Sequence, residues 1–115
     1  MPTTRDIGNR AESMATQFLR DQGLRIVHKN FHCRGGEIDI IAVDHEHLVF
    51  VEVRYRDSNQ FGSAVETVTP RKQKRVILAA RNYLHKNRID QPCRFDVIGI
   101  DSQNQIEWIK DAFQT

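Results

Sequence analysis

Two apolar, β-branched runs, residues 37–43 and 48–54, flank the polar stretch Asp44-His45-Glu46-His47 and predict a β-hairpin. A symmetric turn pairs position i of the first run with position 91 minus i of the second, which sets Asp39 opposite Glu52 and Glu37 opposite Arg54. Alternation then gathers Glu37, Asp39, Glu52 and Arg54 on one face, with Ile41, Val43, Leu48 and Phe50 nearer the turn. Ile38, Ile40, Ala42, Val49, Val51 and Val53 make a wholly apolar opposite face.

The remaining elements follow from the same patterning. Ile7, Ala11, Met14, Ala15, Phe18 and Leu19 recur at helical spacing and predict a helix over 7–22, with Asp6 as N-cap and Gly23 as its stop. A strand over 24–31 leads through Arg34-Gly35-Gly36 into the hairpin. Beyond Arg56, the polar Asp57-Ser58-Asn59-Gln60 and Phe61-Gly62 predict a loop at the mouth of the hairpin face. Thr69 and Pro70 open a second helix that runs to about Lys86 on the stripe Val76, Ile77, Ala80, Tyr83 and Leu84. Two last strands, 94–100 and 105–110, surround a turn at 101–104. Asp96 sits mid-strand and requires a partner such as Arg94, and Trp108 is expected in the core or covering the sheet. The order α-β-β-β-α-β-β predicts an α/β fold, a mixed sheet with helices packed against it.

Composition narrows the class. With 115 residues, 39% hydrophobic and 28% charged, the chain is expected to be one globular domain, 1–115, with a core of its own. Cys33 and Cys93 have neither C-x-x-C spacing nor a disulfide framework, so reduced thiols are expected. There is no apolar leader at the N-terminus and no apolar run of bilayer length, so a cytoplasmic protein with no membrane partner is expected. The five histidines fall at no recognised four-ligand zinc spacing and read as solvated or capping residues.

The chemistry concentrates in the hairpin. Carboxylates on opposed strands stand about 5 Å apart at Cβ, and two charges at that distance repel by roughly 3 kcal/mol at an effective dielectric near 20. A divalent cation, a shared proton or Arg54 alongside would compensate them. Glu12 lies on the border of the first helix's buried stripe, one turn after Gly8 and three residues before Ala15. Those small neighbours would let the sheet come close. Arg71, Lys72, Lys74 and Arg75 crowd the N-terminus of the second helix, where the macrodipole opposes them by some tenths of a kcal/mol each. An external anion such as a nucleic-acid phosphate would account for them. Tyr55 between Arg54 and Arg56 could stack on a base while its neighbours contact phosphates.

Asp39 followed by Glu52-Val53-Arg54 resembles the D…(D/E)-x-K motif of the restriction-endonuclease-like nuclease superfamily. Within it, Gly8-x-x-x-Glu12-x-x-Ala15, Gly36-Glu37-Ile38-Asp39, Phe50-Val51-Glu52-Val53-Arg54 and Arg94-Phe95-Asp96-Val97 resemble the YraN-like proteins, related to archaeal Holliday-junction resolvases. The pieces span residues 8–97, and the departure is Arg54 where the superfamily usually has lysine. The resemblance implies a restriction-endonuclease-like core and a metal-dependent endonuclease acting on DNA in repair or recombination. Asp39, Glu52 and the Val53 carbonyl would bind Mg²⁺ or Mn²⁺, and Glu12 would complete or tune the site. Arg54 stays protonated and can stabilise developing charge without acting as a base. Arg54, Tyr55, Arg56, Arg71, Lys72, Lys74 and Arg75 would hold the nucleic acid. Symmetric cutting of a four-way junction would require a homodimer. The alternative is a non-catalytic nucleic-acid-binding protein on the same fold.

Overall fold

The computed structural model describes residues 2–56 and 64–115. The polar segment from Asp57 to Gly62 lies outside the described residues.

Helix α1 (Thr4–Asp21) starts three residues before the apolar pattern does. Thr3, not Asp6, is its N-cap. The Asp6 amide donates to the Thr3 hydroxyl and the Thr3 amide to the Asp6 carboxylate, both at 3.1 Å, a reciprocal capping box. The first turn is exposed, so its residues carry no apolar signal. At the other end Gly23 (φ 95°) closes a Schellman motif, with Leu24 N–H donating to the Leu19 carbonyl and Gly23 N–H to that of Arg20.

Five strands follow in a single sheet, β1 (Arg25–Cys33), β2 (Gly36–Asp44), β3 (His47–Tyr55), β4 (Cys93–Ile100) and β5 (Ile106–Phe113), in the order β1-β2-β3-β4-β5. Three neighbouring pairs are antiparallel, and β3 with β4 is parallel. A parallel pair needs a crossover. It passes through a 3-10 turn (Ala64–Thr67) and helix α2 (Pro70–Lys86), which opens on Thr69 as N-cap and Pro70, as the sequence predicts.

The helices cover opposite faces. Ala11, Ala15 and Leu19 of α1 pack on Ile40, Ala42, Val49, Val51, Ile98 and Ile100. Val76, Ala79, Ala80 and Tyr83 of α2 pack on Ile41, Leu48, Phe50, Phe95 and Val97. Gly36 is required for that second docking, because a Cβ there would collide with the Arg75 carbonyl oxygen. Among the described residues, no helix is long and apolar enough to cross a membrane.

One face assignment is corrected. Ile38 belongs to the α2-side core together with Ile41, while Ile40 belongs to the α1 side. Strict alternation would have put Ile38 with Ile40. The change of phase falls at Asp39, opposite a β1 residue, Asn30, with φ 55°. The register is regular on either side, at Lys29↔Ile40 and Phe31↔Ile38.

Asp96 is fully buried and fully partnered. It accepts from Nε and Nη2 of Arg94 (2.9 Å each), Trp108 Nε1 (2.9 Å) and the Asp111 amide (3.0 Å). Arg94 Nη2 also reaches Asp44 at 3.0 Å, binding β2 into the same network. The predicted Arg94 partnership holds, and the cluster is structural.

Candidate functional site

The hairpin has the predicted register. Asp44 pairs with His47 and Ile40 with Val51 around a two-residue His45-Glu46 turn, in which His45 takes φ 56°. Beyond Ile40↔Val51 the regular pairing stops although both strands continue. In that gap the Asp39 carboxylate accepts the Val53 amide proton at 2.8 Å, so a side chain occupies a place the ladder has vacated.

Glu52 stands on the α2-side face of β3, 2% exposed, and its Oε1 has no hydrogen-bond partner among the described residues. Burial first, then the charge of Asp39 and a hydrogen bond with its carboxyl, push the Glu52 carboxyl up to about 9. Lys72 and Arg54 oppose the rise. At neutral pH the pair therefore holds a proton, one of the compensations the spacing demands. Arg54 Nη1 and Lys72 Nζ each lie 3.7 Å from Glu52 Oε2. Arg54 is fixed on its other side by Nε donating to the Thr67 hydroxyl at 3.2 Å, and that hydroxyl donates to the Ala64 carbonyl.

The four cations of α2 divide in two. Lys72 Nζ bonds Glu37 Oε1 at 2.5 Å and Arg75 Nη2 bonds Glu37 Oε2 at 2.7 Å. An internal carboxylate thus accounts for half of the charge that an external anion was expected to explain. Those two bonds, Arg75 first, hold the Glu37 carboxyl down to about 2. Burial works against the Lys72 charge, but Glu37 and Glu52 outweigh it and its pKa is raised, so it stays an ammonium. Arg71 and Lys74 are exposed, with no ion pair among the described residues. Glu37 was expected opposite Arg54; its partners lie 35 and 38 positions away, beyond the reach of a strand pattern.

On the α1 side, Glu12, Asp39 and Val53 line one open cleft of about 290 Å³ with Arg5, Gly8 and Tyr55. Burial and the Asp39 charge raise the Glu12 pKa, while an Asn30 amide hydrogen bond at 2.7 Å opposes them. Gly8 does not serve to admit the sheet, since a Cβ there would meet nothing within 4 Å. A glycine inside a helix costs roughly 0.5–1 kcal/mol relative to alanine, and packing does not explain it here. Tyr55 is 42% exposed at the end of β3, and Arg56 follows, half-buried. Glu12, Asp39, Glu52, Val53, Arg54 and Lys72 thus converge. Tyr55 lines the same cleft and Arg75 bonds Glu37, whereas Arg56 lines a separate cleft with Ala64, Gly99 and Glu107, and Arg71 and Lys74 lie exposed on α2.

The donor set suits a hard cation. Asp39 and Glu52 offer carboxylate oxygens, one of them buried and without a hydrogen-bond partner among the described residues. Among the described residues no three His, Cys, Asp or Glu side chains form a ligand cage on their own. Two carboxylates with water and substrate phosphate completing the shell is the usual arrangement for Mg²⁺.

Comparison with known proteins agrees with the residue pattern. Residues 11–100 match the family described as "Uncharacterised protein family UPF0102". A UPF0102 protein of Hahella chejuensis is 56% identical over 111 residues, covering 94% of this chain and 90% of the relative. Another from Nitrosococcus oceani is 49% identical over 117 residues, with 97% and 94% covered. With the match covering most of the chain and both relatives nearly full length, this protein belongs to the UPF0102 family, the YraN-like group that its motifs resemble.

Proposed function

We propose that this protein is a metal-dependent endonuclease of the restriction-endonuclease-like superfamily that cuts DNA, with branched repair or recombination intermediates as its substrate class. The observation that carries the reading is Glu52, a buried carboxyl beside Asp39 whose Oε1 has no hydrogen-bond partner among the described residues, a place a divalent cation would fill. A structural ion pair would have satisfied that oxygen, as Asp96 is satisfied at the other end of the sheet.

Asp39 and Glu52, with the Val53 carbonyl, would hold Mg²⁺ or Mn²⁺, and Glu12 would act on the site from the α1 side. When bound, the ion supplies a water of lowered pKa and polarises a phosphoryl oxygen. The protein's own groups do the rest. Lys72, permanently charged beside Glu52, supplies an ammonium where the superfamily motif would have put one at position 54. Arg54, anchored on Thr67, adds a second cation to stabilise charge developing on the phosphate. Arg71 and Lys74 take the DNA backbone on exposed α2. A DNA substrate implies a cytoplasmic protein, in keeping with the free thiols of Cys33 and Cys93.

Arginine at position 54 favours the second reading, a DNA-binding protein without turnover. Labelled four-way junction, flap, duplex and single-stranded DNA, incubated with Mg²⁺ or Mn²⁺, separate the two. Cleavage by the natural protein and none by a matched Asp39→Asn preparation is the expected result. Equal behaviour of the two preparations would overturn the enzyme reading, and retained salt-dependent binding would then establish the second.

A further inference from the structure

Helix α2 carries more charge than the carboxylate site uses. Residues 67–89 hold seven arginines and lysines and no aspartate or glutamate, so elsewhere in this chain of net charge +2 the acids outnumber the cations. Glu37 holds two of the seven, Lys72 and Arg75. The other five, Arg71, Lys74, Arg81, Lys86 and Arg88, are exposed, with no ion pair among the described residues. The acids that bracket the segment in the chain, Glu66 and Asp90, are exposed as well and pair with none of them.

Spacing arranges this charge. Arg71, Lys74, Leu78, Arg81 and His85 recur at alternating steps of three and four, all exposed, on the face opposite buried Val76, Ala79, Ala80 and Tyr83. At 1.5 Å per residue the line is about 21 Å long. One end lies at the site, where Lys72 in the first turn of α2 is 3.7 Å from Glu52. At the other, Arg81, His85 and Arg88 line one open depression with Leu84 and Ile89. Leu78, the apolar member, covers the β1–β2 turn at Gly35, next to the exposed Arg34. The macrodipole rewards cations in the last turn alone, and like charges three or four apart destabilise a helix. Helix stability therefore does not account for the line.

We propose that the outer face of α2 is the track of a DNA duplex arm, which leaves the carboxylate site past Arg71 and Lys74 and is held again by Arg81 and Arg88. The inference rests on the nuclease reading and deepens it. A polyanion continuous with the substrate explains the line without a second partner. Duplex DNA is stiff far beyond this length, so an arm gripped at one end stays over the other, which a single strand need not do. At 3.4 Å per base pair, the line spans about 6 base pairs. The substrate is thus one with at least that much duplex on one side of the cut.

The test is binding of hairpin-capped DNA in chelator, so that no turnover is involved, with stems of about 4 and about 12 base pairs, shorter and longer than the line. Arg81→Gln with Arg88→Gln should bind the long stem more weakly, with the slope of log affinity against log salt shallower by about 2. The same variant should bind the short stem nearly as the natural protein does, and its Tm should be unchanged. Arg10→Gln with Arg20→Gln, an equal loss of exposed charge on α1, should leave the slope for the long stem as it was. An unchanged slope in the α2 variant, an equal loss on both stems, or the same loss in the α1 variant overturns the inference. Competition by polyglutamate as strong as by the long stem would also overturn it and give the face to an acidic protein. If cutting that requires Asp39 persists while the α2 variant binds both stems normally, only the track falls. If the natural protein binds no DNA, both readings fall.

Discussion

The Asp39 carboxylate accepts the Val53 amide proton at 2.8 Å, so one residue both closes the hairpin backbone and faces Glu52. The two roles separate by substitution. Asp39→Asn keeps an oxygen for Val53 and removes the charge that repels Glu52, so its stability should equal or exceed that of the natural protein at neutral pH. Asp39→Ala leaves the amide unsatisfied and should cost about 1–3 kcal/mol. Thermal melting of the two variants checks the difference. Both should be inactive in the cleavage assay.

Glu52 sets a pH dependence with a definite sign. Its folded pKa of about 9 lies above the ordinary carboxyl value of 4.5, so the folded state holds a proton the unfolded state has released. Its favourable contribution is complete below pH 4.5 and is lost as pH rises towards 9, at most on the order of 1 kcal/mol per pH unit. Glu52→Gln removes this loss. The variant should melt above the natural protein at pH 8, with the gap closing by pH 5. Mn²⁺ affinity of the natural protein, measured by calorimetry, should rise over the same interval and be largely absent in Glu52→Gln.

Glu37 restrains two cations. Its carboxyl, held near 2 against 4.5, contributes stability that is present above pH 4.5 and lost as pH falls towards 2. Glu37→Gln should therefore be less stable at neutral pH and lose less on acidification. Freed Lys72 and Arg75 should bind DNA more tightly, with the slope of log affinity against log salt steeper by up to about 2. Arg71→Ala with Lys74→Ala should move the slope the other way. An unchanged slope in both variants would remove α2 from the DNA interface.

Gly36→Ala tests how the Lys72–Glu52 approach is set. Its methyl would press on the Arg75 carbonyl and on Ala79, backbone and core that cannot step aside freely. Overpacking of this kind costs typically 1–3 kcal/mol. Because α2 must lift from β2, Lys72 should withdraw from Glu52, and cleavage should fall by more than the loss of folded protein measured by circular dichroism.

Much of this was legible beforehand because it is local. The hairpin register followed from a symmetric turn, and α2 from a Thr-Pro cap and one apolar stripe. The paired carboxylates and the order of elements needed nothing more. What escaped was the non-local part. Alternation assumes a regular strand, so it misassigned Ile38: the irregularity at Asp39 faces Asn30 on a different strand, and a period-two pattern carries no sign of that. The Thr3 cap was hidden because an exposed first turn has no periodicity. The partners of Glu37 depended on how α2 crosses the sheet, which charge spacing along the chain does not encode. Gly8 was read as a packing glycine, and only the empty space around it shows that packing is not its use.

The Asp96 network has a bearing on assembly. Its donors come from β4 itself and from β5, and Arg94 also ties it to Asp44 at the tip of the hairpin. Until the final strand docks, a carboxylate in the interior lacks the Trp108 and Asp111 donors. Yet β5 lies beyond residue 100, where the family match ends. The C-terminal strand is thus a latch: the interior Asp96 carboxylate has its full set of donors only once the edge strand β5 has paired with β4.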